Sequence, residues 1–173
     1  MGSDDGYLYA LGTDGKLQWR FPTGGPVTAG PVDATGVACV CDTDGRAFGV
    51  WADGSSKVWR PVKVGGAVRG TPAYAGQVLY IGSAGSAVHA LNVEIGLQDW
   101  LYPTIGPVNS GPATDGTTVY AGDDDGYLYA IDLSSISSRW RYRVGAAVRS
   151  QLLAGNGVVY FGSLDHRVYA LRT

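Results

Sequence analysis

The sequence predicts an all-β repeat fold built from four-stranded antiparallel units, and three observations predict it. First, unrelated residue types keep one register of about 40 residues along the whole chain. Trp19, Trp59, Trp100 and Trp140 are spaced by 40, 41 and 40 residues, and Val27, Val68, Val108 and Val148 by 41, 40 and 40. Tyr9, Phe48, His89, Tyr129 and Tyr169 keep the same step, as do Pro31, Pro72 and Pro112 until Leu152 takes that place. Gly2, Gly82, Gly122 and Gly162 share the grid, with Cys41 in the missing slot. Second, each period divides into short runs of β-branched and aromatic residues separated by Asp-Gly, Gly-Gly, Asn-Gly and Ala-Gly dipeptides, which supply the positive φ that hairpins need. Third, no stretch keeps a 3.6-residue apolar face for three turns, which excludes helical repeats of similar length.

One unit shows how the elements follow. In residues 107–144, a first strand is expected over 108–113, then an Asp115-Gly116 turn and a β-branched second strand over 117–121. The acidic turn at 123–126 leads to a third strand over 127–131 with period-2 alternation, and 139–143 (Arg-Trp-Arg-Tyr-Arg) gives the fourth. Four antiparallel strands per unit is the blade of a β-propeller. Residues 1–173 then form one domain carrying four blades' worth of chain. It opens with strands three and four of a blade (6–22), continues with whole blades at 26–63, 67–104 and 107–144, and ends with strands one to three of another (147–172). The two end pieces add up to one blade, so the chain reads as a four-bladed ring or as half of an eight-bladed one.

Composition removes several function classes. With 13 Lys+Arg against 15 Asp+Glu the net charge is −2, which gives neither the basic stripe a nucleic acid requires nor a polybasic membrane anchor. Apolar runs are strand-sized, so membrane insertion is not expected. No charged n-region followed by an apolar h-region opens the chain, which places it in the cytosol or its targeting segment outside this sequence. Two Cys in 173 residues are no disulfide framework.

A recurrent string then narrows the blade type. It stands as GSDDGYLYAL (2–11) before Trp19 and GDDDGYLYAI (122–131) before Trp140, with weaker copies at 42–51, 82–91 and 162–171. Gly-His and Trp-Asp signatures are missing, unlike WD40 blades. The string closely resembles the pyrroloquinoline-quinone-like (PQQ-like), tryptophan-docking repeat, over essentially the whole chain. The resemblance implies rings of six to eight blades, with each fourth-strand Trp wedged between neighbouring blades. It also implies kinship with outer-membrane assembly lipoproteins, kinase sensor domains and PQQ dehydrogenases, and favours a periplasmic or extracellular setting.

Trp19, Trp59, Trp100 and Trp140 are therefore expected as structural docking residues. A Trp buries about 150–250 Å², on the order of 4–6 kcal/mol at roughly 25 cal/mol per Å². The position after the repeated Val is polar in every unit (Thr28, Arg69, Asn109 and Arg149). First strands line a propeller's channel, and two guanidiniums there suit a carboxylate or other anion. Catalytic residues are not expected: His89 and His166 occupy repeat positions, and no nucleophile, base and acid are brought together. Cys39 and Cys41, at i and i+2 on one strand face, read as buried thiols. The Asp-rich turns lack the ligand spacing of a Ca²⁺ loop, so neither metal nor cofactor is assigned.

The reading is a non-enzymatic binding scaffold that associates with a second copy, with a larger parent protein, or with a protein partner. Two alternatives stay open: a fragment of a PQQ-dependent dehydrogenase, and a sensor domain binding a small anion in the channel. A third reading is a cut or redesigned half-propeller whose role is symmetric assembly itself.

Overall fold

The computed structural model describes residues 1–173 and contains seventeen strands and no helix. The first sheet has two strands, β1 (Tyr7–Leu11) and β2 (Leu17–Pro22). Three four-stranded sheets follow. They are β3 (Val32–Ala34), β4 (Val37–Cys41), β5 (Arg46–Trp51) and β6 (Val62–Lys63); β7 (Ala73–Ala75), β8 (Val78–Ser83), β9 (Ala87–Asn92) and β10 (Leu97–Pro103); and β11 (Ala113–Thr114), β12 (Thr118–Gly122), β13 (Tyr127–Asp132) and β14 (Ser137–Arg143). A three-stranded sheet, β15 (Leu153–Gly155), β16 (Val158–Ser163) and β17 (Arg167–Arg172), ends the chain. Strands pair antiparallel with their neighbours in sequence, as blades of a β-propeller do. Wherever Trp19, Trp100 or Trp140 enters its hairpin, the register slips by one residue; such a bulge re-aims the side chain.

The first strands correct the sequence expectation. The 108–113 run is not a strand for most of its length, because β11 begins at Ala113. Pro112 has no N–H to give a ladder, and the N–H groups before it go elsewhere. Val108 N donates to Ser83 O of the preceding blade at 2.9 Å, and Val27, Val68 and Val148 donate likewise to Ser3 O, Asp42 O and Asp123 O. The segment carrying the repeated Val thus stitches one blade to the next.

That contact also explains the glycine grid. A Cβ on Gly2, Gly82 or Gly122 would overlap Val27, Val108 or Val148 of the following blade. On Gly162, in the last sheet of the 173 residues, the nearest atom would be Ser150 Cβ at 3.7 Å. Val68, Val108 and Val148 are completely buried. The apolar interior accordingly lies between blades, in clusters such as Tyr120, Leu128, Ala130, Val148, Val159 and Phe161.

The arc is open. No hydrogen bond joins residues 1–25 to 147–173. Positions buried in the middle blades are exposed at the ends. Val168 is 83% exposed where Val88 and Leu128 are 0%, and Leu11 is 50% exposed where Leu91 and Ile131 are 0%.

Candidate functional site

Two sets of side chains carry specific geometry: the tryptophans between blades and the polar residues at the channel. Trp19 Nε1 donates to Ala52 O at 3.0 Å and Trp59 Nε1 to Val93 O at 2.9 Å, each acceptor lying in the next blade. The indoles rest on glycines just beyond those carbonyls. A Cβ on Gly54 would overlap Trp19, and one on Gly96 would overlap Trp59. Both glycines have left-handed φ, +76° and +65°, a region other residues enter at a cost. In the next copy Ile136 occupies the glycine position at φ +52°. Trp100 Nε1 makes no hydrogen bond there, although its ring lies 5.9 Å from that of Tyr80.

Trp140 has half a seat. Thr173 N donates to Gly157 O just as Ala52 N and Val93 N donate to Gly36 O and Gln77 O, so Thr173 holds the acceptor place. No glycine turn follows it within the 173 residues. Trp140 instead borders an open cavity of about 290 Å³ with Arg141, Tyr142, Leu171 and Arg172. At the other end, the β1–β2 turn offers the reverse: Gly15 has φ +77°, and a Cβ there would meet nothing within 4 Å.

The expected channel residues each stand one place after a repeated valine. Arg69, Asn109 and Arg149 line one cavity of about 480 Å³. Arg69 Nη1 donates to Asn109 Oδ1 at 2.9 Å, and Asn109 Nδ2 donates to Asp124 Oδ2 at 2.8 Å. Arg149 closes on Asp124 through Nε and Nη2, at 2.8 and 3.0 Å. Of the four polar positions expected, three come together; Thr28 is exposed and lies outside the cavity. Asp124, in the β12–β13 turn, was not anticipated, because the acidic turn reads as a solvated hairpin. Its hydrogen bond from Arg149 holds its carboxyl below the usual range, and the Arg149 guanidinium is shifted up in return. The side chains of three consecutive blades are thereby linked.

A third arrangement places a serine beside a histidine, with a glutamine and not an acid in the third place. Ser83 Oγ lies 3.1 Å from His89 Nε2, and His89 Nδ1 lies 2.7 Å from Gln98 Oε1. Ser83 is 0% and His89 3% exposed, and no cavity opens onto them. The equivalent pair one blade on is Asp123 and Tyr129, joined at 2.8 Å. Ser83 and His89 fill the same place in the blade, and burial lowers the imidazole pKa below its ordinary value. Cys39 and Cys41 are free, buried thiols; burial pushes Cys39 up to about 12 and raises Cys41 as well. The acidic turns spend their carboxylates locally: Asp42 pairs with Arg46, and Asp5 accepts from Tyr9 Oη.

The family model described as outer membrane protein assembly factor BamB matches residues 4–110 and 103–173. The chain belongs to this family of PQQ-like β-propellers. No curated protein is significantly similar in sequence. Among solved structures, BamB from Moraxella catarrhalis superposes with a TM-score of 0.83 at 19% identity, covering 98% of this chain and 56% of BamB. The computationally designed Ika8 protein gives 0.78 at 14% identity over 98% of this chain and 56% of its own. The designed Ika4 protein gives 0.76 at 15% identity, over 84% of this chain and 90% of its own. The chain thus spans little more than half the length of that BamB.

Proposed function

We propose that this PQQ-like propeller is a non-enzymatic protein-interaction scaffold that completes its ring by joining a second copy. The observation that carries this reading is the complementarity of its two ends. One end presents Trp140 with an acceptor residue but no glycine turn; the other presents the Gly15 turn with no tryptophan. The strands are complementary as well, since the last blade has its first three strands and the first has its third and fourth. Residues 163–173 repeat residues 3–13, with Tyr169 for Tyr9, Leu171 for Leu11 and Thr173 for Thr13. At the joint, one of β17 and the partner's β1 takes the third place and the partner's β2 the fourth. Doing this at both ends gives each shared blade four strands, as in the three whole blades. The joint is the same at both ends of a two-fold pair, so the assembly closes at two copies.

The test is coexpression of the chain with two different tags. Capture through one tag should recover the other, and Trp140→Ala or Gly15→Leu should abolish that recovery. Failure of the wild-type chain to recover its copy, or recovery unchanged in both variants, would overturn the reading.

A further inference from the structure

The network at the channel goes beyond this reading, because it lies within one chain and needs no second copy. We propose that Arg69, Asn109 and Arg149 form a binding site for a small oxyanion, a carboxylate- or phosphate-bearing metabolite held at the mouth of the channel.

The argument begins with charge. The chain as a whole is at −2, yet its largest cavity is lined by two guanidiniums and one amide. The Asp124 carboxylate beside them is already engaged at both oxygens: Oδ1 accepts from Arg149 Nε, while Oδ2 accepts from Arg149 Nη2 and Asn109 Nδ2. Two guanidiniums against one carboxylate leave a single positive charge, with no other ion pair made by Arg69 or Arg149.

Donor geometry points the same way. Arg69 commits Nη1 to Asn109, leaving Nε and Nη2 without partners, and Arg149 commits Nε and Nη2, leaving Nη1. A guanidinium that loses side-chain freedom before its ligand arrives gives up less entropy on binding. Here the chain Arg69–Asn109–Asp124–Arg149 supplies that constraint. Asp124 is itself anchored, its N–H donating to Pro107 O at 2.9 Å. Forked N–H donors of fixed orientation match the oxygens of carboxylate and phosphate groups. At about 480 Å³ the cavity is of the size that holds small molecules.

Asp124 also gives the site a gauge. It positions Arg149 but opposes an anion, so neutralising it should improve anion binding. A network serving only to brace the blades would show no such gain.

The experiment is isothermal titration of the 173-residue chain at low salt with two probes, succinate and inorganic phosphate. Saturable binding of either is expected, weakening as salt is raised. Heat with succinate alone assigns a carboxylate ligand, and heat with phosphate alone a phosphate ligand. Arg69→Ala should weaken binding roughly tenfold or more, whereas Asp124→Asn should tighten it. Arg143→Ala, an exposed arginine on β14 placed over the Tyr127 ring, should leave it unchanged. No heat from either anion up to about 10 mM, or equal affinity in wild type, Arg69→Ala and Asp124→Asn, would overturn the proposal. Circular dichroism of each variant checks that the fold is retained.

Discussion

Replacing Gly96 with alanine isolates what one docked tryptophan contributes. Gly96 lies at φ +65°, and an alanine Cβ there would overlap Trp59, which is 7% exposed and hydrogen-bonded to Val93 O. Two costs follow. The left-handed backbone with a Cβ costs about 1–2 kcal/mol. Lifting the indole adds about 1–3 kcal/mol, the usual scale for overpacking, and weakening its hydrogen bond adds about 1 kcal/mol. Gly116 provides the reference, since it has φ +89° and a Cβ there would meet nothing within 4 Å. Gly116→Ala should therefore lose about 1–2 kcal/mol and Gly96→Ala about 3–6 kcal/mol. Urea unfolding followed by far-ultraviolet circular dichroism measures both. In a Trp59→Ala background the excess should vanish, which a double-mutant cycle reads directly. Equal losses for the two glycines, or an excess that survives without Trp59, would refute the docking account.

Three further outcomes follow from the same geometry. Ile136→Gly should relieve a β-branched residue at φ +52° and let Trp100 seat, read as new protection of its indole N–H from hydrogen exchange. The depressed pKa of buried His89 means that the unfolded chain binds a proton below about 6.5 more readily than the folded one does. Stability should accordingly be complete above that pH and fall as pH drops below it, with His89→Gln removing that part of the slope in pH-dependent unfolding. Cys39 and Cys41, buried and shifted up, should resist iodoacetamide at pH 8 until the chain is unfolded; rapid labelling of the native protein would contradict their placement.

Most of the fold was legible because repetition marks residues that meet their counterparts in the next blade. The glycine and valine grids are one contact seen from two sides, as at Gly82 and Val108. The first strands were misjudged because 108–112 has strand-like composition but sends Val108 N across to Ser83 O. Sequence periodicity carries no sign of such an exchange between blades. The candidate channel was legible in part, for Arg69, Asn109 and Arg149 stand one residue after buried valines. Asp124 was hidden because its function depends on Arg149, 25 positions on and one blade away. The contact between Ser83 and His89 was hidden for a related reason: they replace Asp123 and Tyr129 as a pair, and His89 alone reads only as a repeat position.

The measurement that reaches the central claim most directly is the molar mass of the 173-residue chain by light scattering behind a sizing column, across a range of loading concentrations. A mass of twice 18.1 kDa is the expected result, with the two open ends of each copy covered by the other. A mass of 18.1 kDa at every concentration would contradict it and would leave Trp140 and the Gly15 turn as separate, unfilled halves of a seat.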